Sequence, residues 1–173
     1  MQRKISIIMF MGLLFLVSVN LVFGLSQAGI EWKSYSLRGW KIRFYIPQDM
    51  ELTESTLPDW HKLSGSNPKG IEITVQSKRE KYTLEEIQNY AVGALGLSSK
   101  DLHLVESNRA HLLDYSVYTV DKNSGGKKYI SIIFIAHHFN SNLSYIMRIS
   151  APGETYEEYK EEFKFWYKNI FGL

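Results

Sequence analysis

The sequence predicts an α+β fold, an antiparallel β-sheet with helices packed on it. Three observations carry this. Strand-like segments recur with short connections rich in Gly, Asn and Ser, and short connections make consecutive strands antiparallel neighbours. Two Thr-x-x-Glu boxes, Thr83 to Glu86 and Thr155 to Glu158, stand at the heads of apolar stripes of helical spacing. Between Ser144 and Leu173 the apolar period switches from two to 3.6 across Ala151-Pro152-Gly153, so a strand feeds directly into a helix.

In chain order, Glu31 to Ser36 and Trp40 to Ile46 read as strands joined by a turn at Arg38-Gly39. The second alternates Trp40, Ile42, Phe44 and Ile46 against Lys41, Arg43 and Tyr45. Pro47 ends it, because proline cannot donate to a ladder. Met50 and Leu52 extend the sheet briefly, and Pro58 restarts the chain. Trp60 to Ser64 and Ile71 to Gln76 form a hairpin around Gly65 to Gly70. Leu84, Ile87, Tyr90, Ala91, Ala94 and Leu95 place a helix after Thr83, and Gly96 stops it.

Leu102 to Arg109 then continues with a kink into Leu112 to Asp121, followed by Lys127 to Phe139 and Ser144 to Ser150. Asn123 to Gly126 and Asn140 to Asn142 supply the turns. Lys127 to Phe139 is apolar on both sides, so it is expected to be central and covered on both faces, by a helix on each or by a helix and a second layer. The closing helix is expected to start near Tyr156 and to run to the end of the chain. Its stripe is Tyr156, Tyr159, Phe163, Trp166 and Ile170, with acidic residues early and Lys160, Lys164 and Lys168 following, an order matched to the helix dipole.

Arg3 and Lys4 precede an uncharged run from Ile5 to Leu25, the pattern of a signal peptide over residues 1–28. The run is also long enough for an uncleaved signal anchor over residues 5–25. Either reading places the remainder, one domain over residues 29–173, outside the cytoplasm, in the periplasm or beyond the cell. The 20 basic residues exceed the 18 acidic ones only by Arg3 and Lys4, so the exported part is neutral. A neutral domain lacks the cationic excess that nucleic-acid binding draws on, so no nucleic acid is expected. The absence of cysteine excludes disulfides, thiolate metal sites and a thiol nucleophile, and leaves stability to a core with 14% aromatic residues.

No catalytic, cofactor or metal constellation emerges. His137 and His138 are adjacent in a strand and point to opposite faces, and His61, His103 and His111 lack zinc-site spacing. Asn123-Ser-Gly-Gly-Lys-Lys128 has glycines before a lysine, but a strand follows instead of the helix of a phosphate loop. Asp114 and Asp121 have no partner carboxylate at acid–base spacing. Asn142-Leu-Ser144 is a formal glycosylation sequon. The candidate functional device is instead a partner surface of aromatics not assigned to the core, namely Trp32, Tyr35, Trp60 and His61. Their alternative is packing beneath the irregular segment after Pro47.

Trp40-Lys-Ile-Arg-Phe-Tyr-Ile-Pro47 resembles the strand and proline break that open PsbP-type domains. Ile71 to Val75, the Thr83 helix, Asp114 to Tyr118, and Tyr145 to Pro152 leading into Phe163 to Phe171 follow in that family's order, over about residues 31 to 173. PsbP is an extrinsic subunit on the lumenal side of photosystem II, and related domains occur in exported proteins of bacteria that do no photosynthesis. The resemblance implies an α/β/α sandwich and a non-catalytic role in binding or assembly. The family's calcium and manganese links do not carry over, because no ligand residues match position by position. Together these readings predict an exported accessory domain that binds a protein partner at the membrane surface, with membrane contact of its own only if residues 5–25 stay attached. The alternative is an exported domain that holds a small ligand between sheet and helix.

Overall fold

The computed structural model describes residues 29–56 and 60–173. The apolar segment over residues 1–28 and the restart at Pro58 lie outside the described residues. Strands β3 (Thr53–Thr56), β4 (His61–Ser66), β5 (Glu72–Lys78), β6 (His103–Ala110), β7 (Leu113–Ser124), β8 (Lys127–His138) and β9 (Ser144–Pro152) form an antiparallel sheet in the order β3-β4-β5-β9-β8-β7-β6. A second sheet holds β1 (Trp32–Leu37), β2 (Ile42–Pro47) and the short β10 (Phe171–Gly172), in the order β1-β2-β10. Helix α1 is Leu84–Ala94; α2 (Gly153–Glu158) and α3 (Lys160–Lys168) follow β9.

The period-two pattern dictates the layers. Ile73 and Val75 of β5, Met147 and Ile149 of β9 and Ile132 and Phe134 of β8 point to one face of the large sheet. There they meet Ile42, Phe44 and Ile46 of β2 and Phe163 and Trp166 of α3 in the main core. On the opposite face Ile133, Ile135, Ile146 and Tyr118 pack beneath Ile87 and Ala91 of α1. As expected, β8 is internal and covered on both sides. One cover is a helix; the other combines two short helices with a small sheet. Since β1 and β2 carry their own apolar face, they stack on the large sheet instead of adding to its edge.

Helix α1 begins as its box predicts. Glu86 N donates to Thr83 Oγ1 at 3.2 Å and Thr83 N donates to Glu86 Oε2 at 2.8 Å. Asn123 to Gly126 is the expected turn, with Gly125 and Gly126 at φ 57 and 77. The segment between β6 and β7 differs from the expected kink. His111 and Leu112 both adopt positive φ, 53 and 64, and fold the two strands into a tight hairpin without any glycine. A left-handed pair twists with its flanking strands, which explains why the reversal is so short.

The closing unit also departs from expectation. Pro152, at φ −52, is already set for a helix start, so α2 begins at Gly153 and not near Tyr156. The Thr155–Glu158 box does not form; Thr155 Oγ1 donates instead to Lys69 O at 3.4 Å. Tyr159, at φ −114 and ψ 30, interrupts the helix, yet the whole predicted stripe is buried. The chain then leaves α3 and pairs Phe171 and Gly172 with Arg43 and Ile42, so a strand follows the last helix.

Candidate functional site

The four sequence-predicted surface residues are not brought together. Trp32 shares one face of the small sheet with Tyr45, while Tyr35 lies on the other, 5.4 Å from the Phe44 ring. Trp60 is only 2% exposed, stacked on Tyr90 at 4.7 Å beneath α1, so its expected exposure is corrected: the aromatics beside it close over it. His61 emerges on the opposite face of the sheet, as neighbours in a strand must. Its ring stacks on Trp40 at 5.0 Å and its Nε2 lies 2.7 Å from Glu54 Oε1, with the Arg79 guanidinium 5.1 Å from the Trp40 ring.

A different aromatic group stands at the surface. Phe165 of α3, 40% exposed, meets Tyr45 at 5.5 Å and Trp32 at 6.1 Å. Phe165 lies off the buried stripe, between Lys164 and the next turn; an aromatic on the polar side of a helix was the available signal. Gly29, the first described residue, sits against Glu162 one helical turn before Phe165. The first described residue therefore lies beside this patch.

Asp114, His137 and Ser144 occupy one cross-strand row on β7, β8 and β9, which are the residue types of a nucleophilic triad. Asp114 accepts from Arg109, whose guanidinium holds the carboxyl below its ordinary range, and its Oδ2 lies 3.0 Å from His137 Nε2. Ser144 does not complete the set. It is fully buried, donates to Glu80 O at 2.7 Å and accepts from Tyr82 N at 3.0 Å, tying the approach to α1 onto β9. Among the described residues no three His, Asp or Glu side chains converge as metal ligands.

His138 is a structural titrating group. Asn140 N donates to its Nδ1 at 3.2 Å, so Nε2 carries the proton toward Leu173 O at 3.3 Å. Burial pushes its pKa below the ordinary 6.5. A depressed value means the unfolded state takes the proton first, so His138 contributes stability above about pH 6.5 that is lost as pH falls toward the folded value. Unfolding free energy measured between about pH 7.5 and 5.5 should fall for the wild type and fall less for His138→Gln. Equal slopes would remove His138 as the cause.

The face that α1 leaves open carries a groove. At its inner end, a recess of about 30 Å³ runs under Leu95 and Leu97 against Val120 and Ile133. It continues across Lys122, Ser131 and Arg148 into a polar hollow of about 280 Å³ that adds Glu72, Ser124, Tyr129 and Ser150. Arg148, on the internal strand β9, has Nη2 3.7 Å from Glu72 Oε2, beyond hydrogen-bond reach, and its buried Nε has no partner among the described residues.

With this geometry in hand, solved structures place the fold. A protein of Bacteroides thetaiotaomicron matches with a TM-score of 0.52 and 13% identity over 82% of this chain, which spans about half of that protein, 48%. LpqN of Mycobacterium tuberculosis, described as involved in cell envelope biogenesis, matches with a TM-score of 0.51 and 8% identity over 83% of this chain and 91% of its own. The fold is PsbP-like. Cyanobacterial PsbP, CyanoP of Synechocystis, is also found, at a TM-score of 0.48 and 8% identity over 86% of this chain and 96% of its own. No family profile matches the chain. No curated protein matches it in sequence. Among the described residues no helix is long and apolar enough to cross a membrane.

Proposed function

We propose that residues 29–173 form a single exported, non-catalytic accessory domain that binds a protein partner at or near the membrane surface. The observation that carries this is the Trp32–Tyr45–Phe165 patch beside Gly29. Aromatics with an exposed face are the side chains that anchor protein interfaces. If the Ile5 to Leu25 run stays attached, its connection through Gly29 tethers the domain to the membrane on the side that carries the patch. The PsbP-like fold agrees with a binding or assembly role, and the occupied hydroxyl of Ser144 speaks against nucleophilic catalysis at the Asp114–His137–Ser144 row.

A photoreactive phenylalanine analogue at position 165, introduced in cells that make the protein, should give one discrete protein adduct. The same analogue at Ser107, on edge strand β6, should give none. Adduct at neither position, or equally at both, overturns the partner surface. Intact mass of the isolated protein separates a cleaved signal from an anchor.

The groove favours a second reading, an exported small-ligand binder. It lies between the sheet and the carboxyl end of α1 and holds an arginine without a hydrogen-bond acceptor.

A further inference from the structure

We infer that the groove beside α1 takes a compact hydroxylated carboxylate, a ligand of the acidic-sugar class. The inference rests on the small-ligand reading and adds the chemistry of the ligand.

Arg148 sets the charge of the groove. A guanidinium offers five donors in a planar fork and cannot shed its charge, so partial burial without an acceptor is costly. Among the described residues the Arg148 side chain makes no hydrogen bond: its buried Nε has no partner, and its Nη2 meets the Glu72 carboxylate only at a long ion-pair distance of 3.7 Å. Arg148 has only that long pair, and Lys122, across the groove on β7, has no ion pair among the described residues. Two cations and the Glu72 carboxylate leave one positive charge facing the hollow. One carboxylate balances that charge and matches the fork in a bidentate pair, whereas a phosphate dianion would leave excess negative charge against Glu72.

The rest of the lining describes what carries the carboxylate. Ser124, Ser131, Ser150 and Tyr129 present hydroxyls, which both donate and accept and so suit a ligand bearing hydroxyls of its own. At about 280 Å³ the hollow sits at the small end of ligand sites. The apolar recess, about 30 Å³, has room for a water or a methyl group but not for an acyl chain, which excludes a fatty acid as the carboxylate's carrier. Register makes the arrangement rigid. Arg148 pairs with Thr74 and Ile133, and Ser131 with Ser150, on internal strands.

The test is calorimetric titration of the full-length chain with glucuronate, glucose and glucose 1-phosphate, each to about 10 mM, with amide shifts followed by NMR. Glucuronate should bind and move Ser131, Arg148 and Ser150, with glucose at least about tenfold weaker. Lys122→Ala, at an exposed position that leaves the fold intact, and Arg148→Lys should each weaken glucuronate about tenfold. Glucose binding as well as glucuronate overturns the carboxylate while leaving the small-ligand reading in place. Tighter binding of glucose 1-phosphate replaces carboxylate with phosphate. No binding and no shift with any of the three removes both the inference and the reading.

Discussion

Trp166→Ala should lower the unfolding free energy by about 3–5 kcal/mol, a large part of the 5–15 kcal/mol typical of a domain. Trp166 is fully buried on the inner side of α3, where it contributes to the main core together with Phe163 and Tyr167. Truncation removes the largest buried side chain and leaves a cavity between helix and small sheet that α3, pinned at both ends, cannot collapse to fill. A second loss is polar. The indole Nε1 donates to Tyr45 O at 3.0 Å, on the side of β2 where β10 pairs only with Ile42 and Arg43. Without the indole that carbonyl lacks its protein donor, which accounts for about 1–3 kcal/mol of that loss if water does not reach it. Trp166→Phe separates the two effects, because it keeps most of the packing and loses only the hydrogen bond. Thermal unfolding should place it between wild type and Trp166→Ala, and the alanine variant about 10 °C below wild type. An alanine variant that melts within about 2 °C of wild type would remove Trp166 as the link between the two layers.

That link was partly legible in the chain. Phe163, Trp166 and Ile170 announce a buried helical stripe, and the alternation of Ile42, Phe44 and Ile46 announces a strand with one apolar face. What no local pattern contains is that the two faces meet, since a strand with one apolar side reads the same in a large sheet or a separate layer. The Thr83 box was readable because both partners are local; the Thr155 box failed because Pro152 started the helix three residues earlier and Lys69 O took the hydroxyl. The His111-Leu112 turn was invisible because neither residue advertises positive φ. For the candidate sites the limit is the same. Trp32 was singled out, but Tyr45 and Phe165 come from a strand and a helix distant in sequence. Arg148, Lys122, Ser131 and Glu72 sit on four strands, and only the register of those strands puts them on one face. Trp60 looked available because Tyr82 and Tyr90, which cover it, belong to the approach and body of α1.

Gly65→Ala should cost about 2–3 kcal/mol, far more than one added methyl usually costs in a strand. Gly65 lies within β4, paired with Ile73 of β5, and its side-chain direction faces the main core. There the backbone of Glu51 passes directly overhead. A Cβ at position 65 would stand 2.3 Å from Glu51 O and 3.0 Å from Leu52 Cδ2, and backbone cannot swing aside as a flexible side chain would. The chain at Glu51 has little freedom to retreat, because the preceding Met50 is fully buried and Thr53 begins β3 against Ser64. The weakest of these attachments is β3, a four-residue strand at the sheet edge. The methyl should therefore displace Glu51 and strip β3 from β4 before it unsettles the rest of the sheet. Hydrogen exchange distinguishes this from general destabilisation. Amide protection should vanish at Thr53 to Ser55, while Ile132 to Ile135 on β8 exchange only through the lowered global unfolding. Retained protection at Thr53 to Ser55, with a melting temperature within about 1 °C of wild type, would mean that Glu51 does not hold the close approach to β4 on which this cost depends.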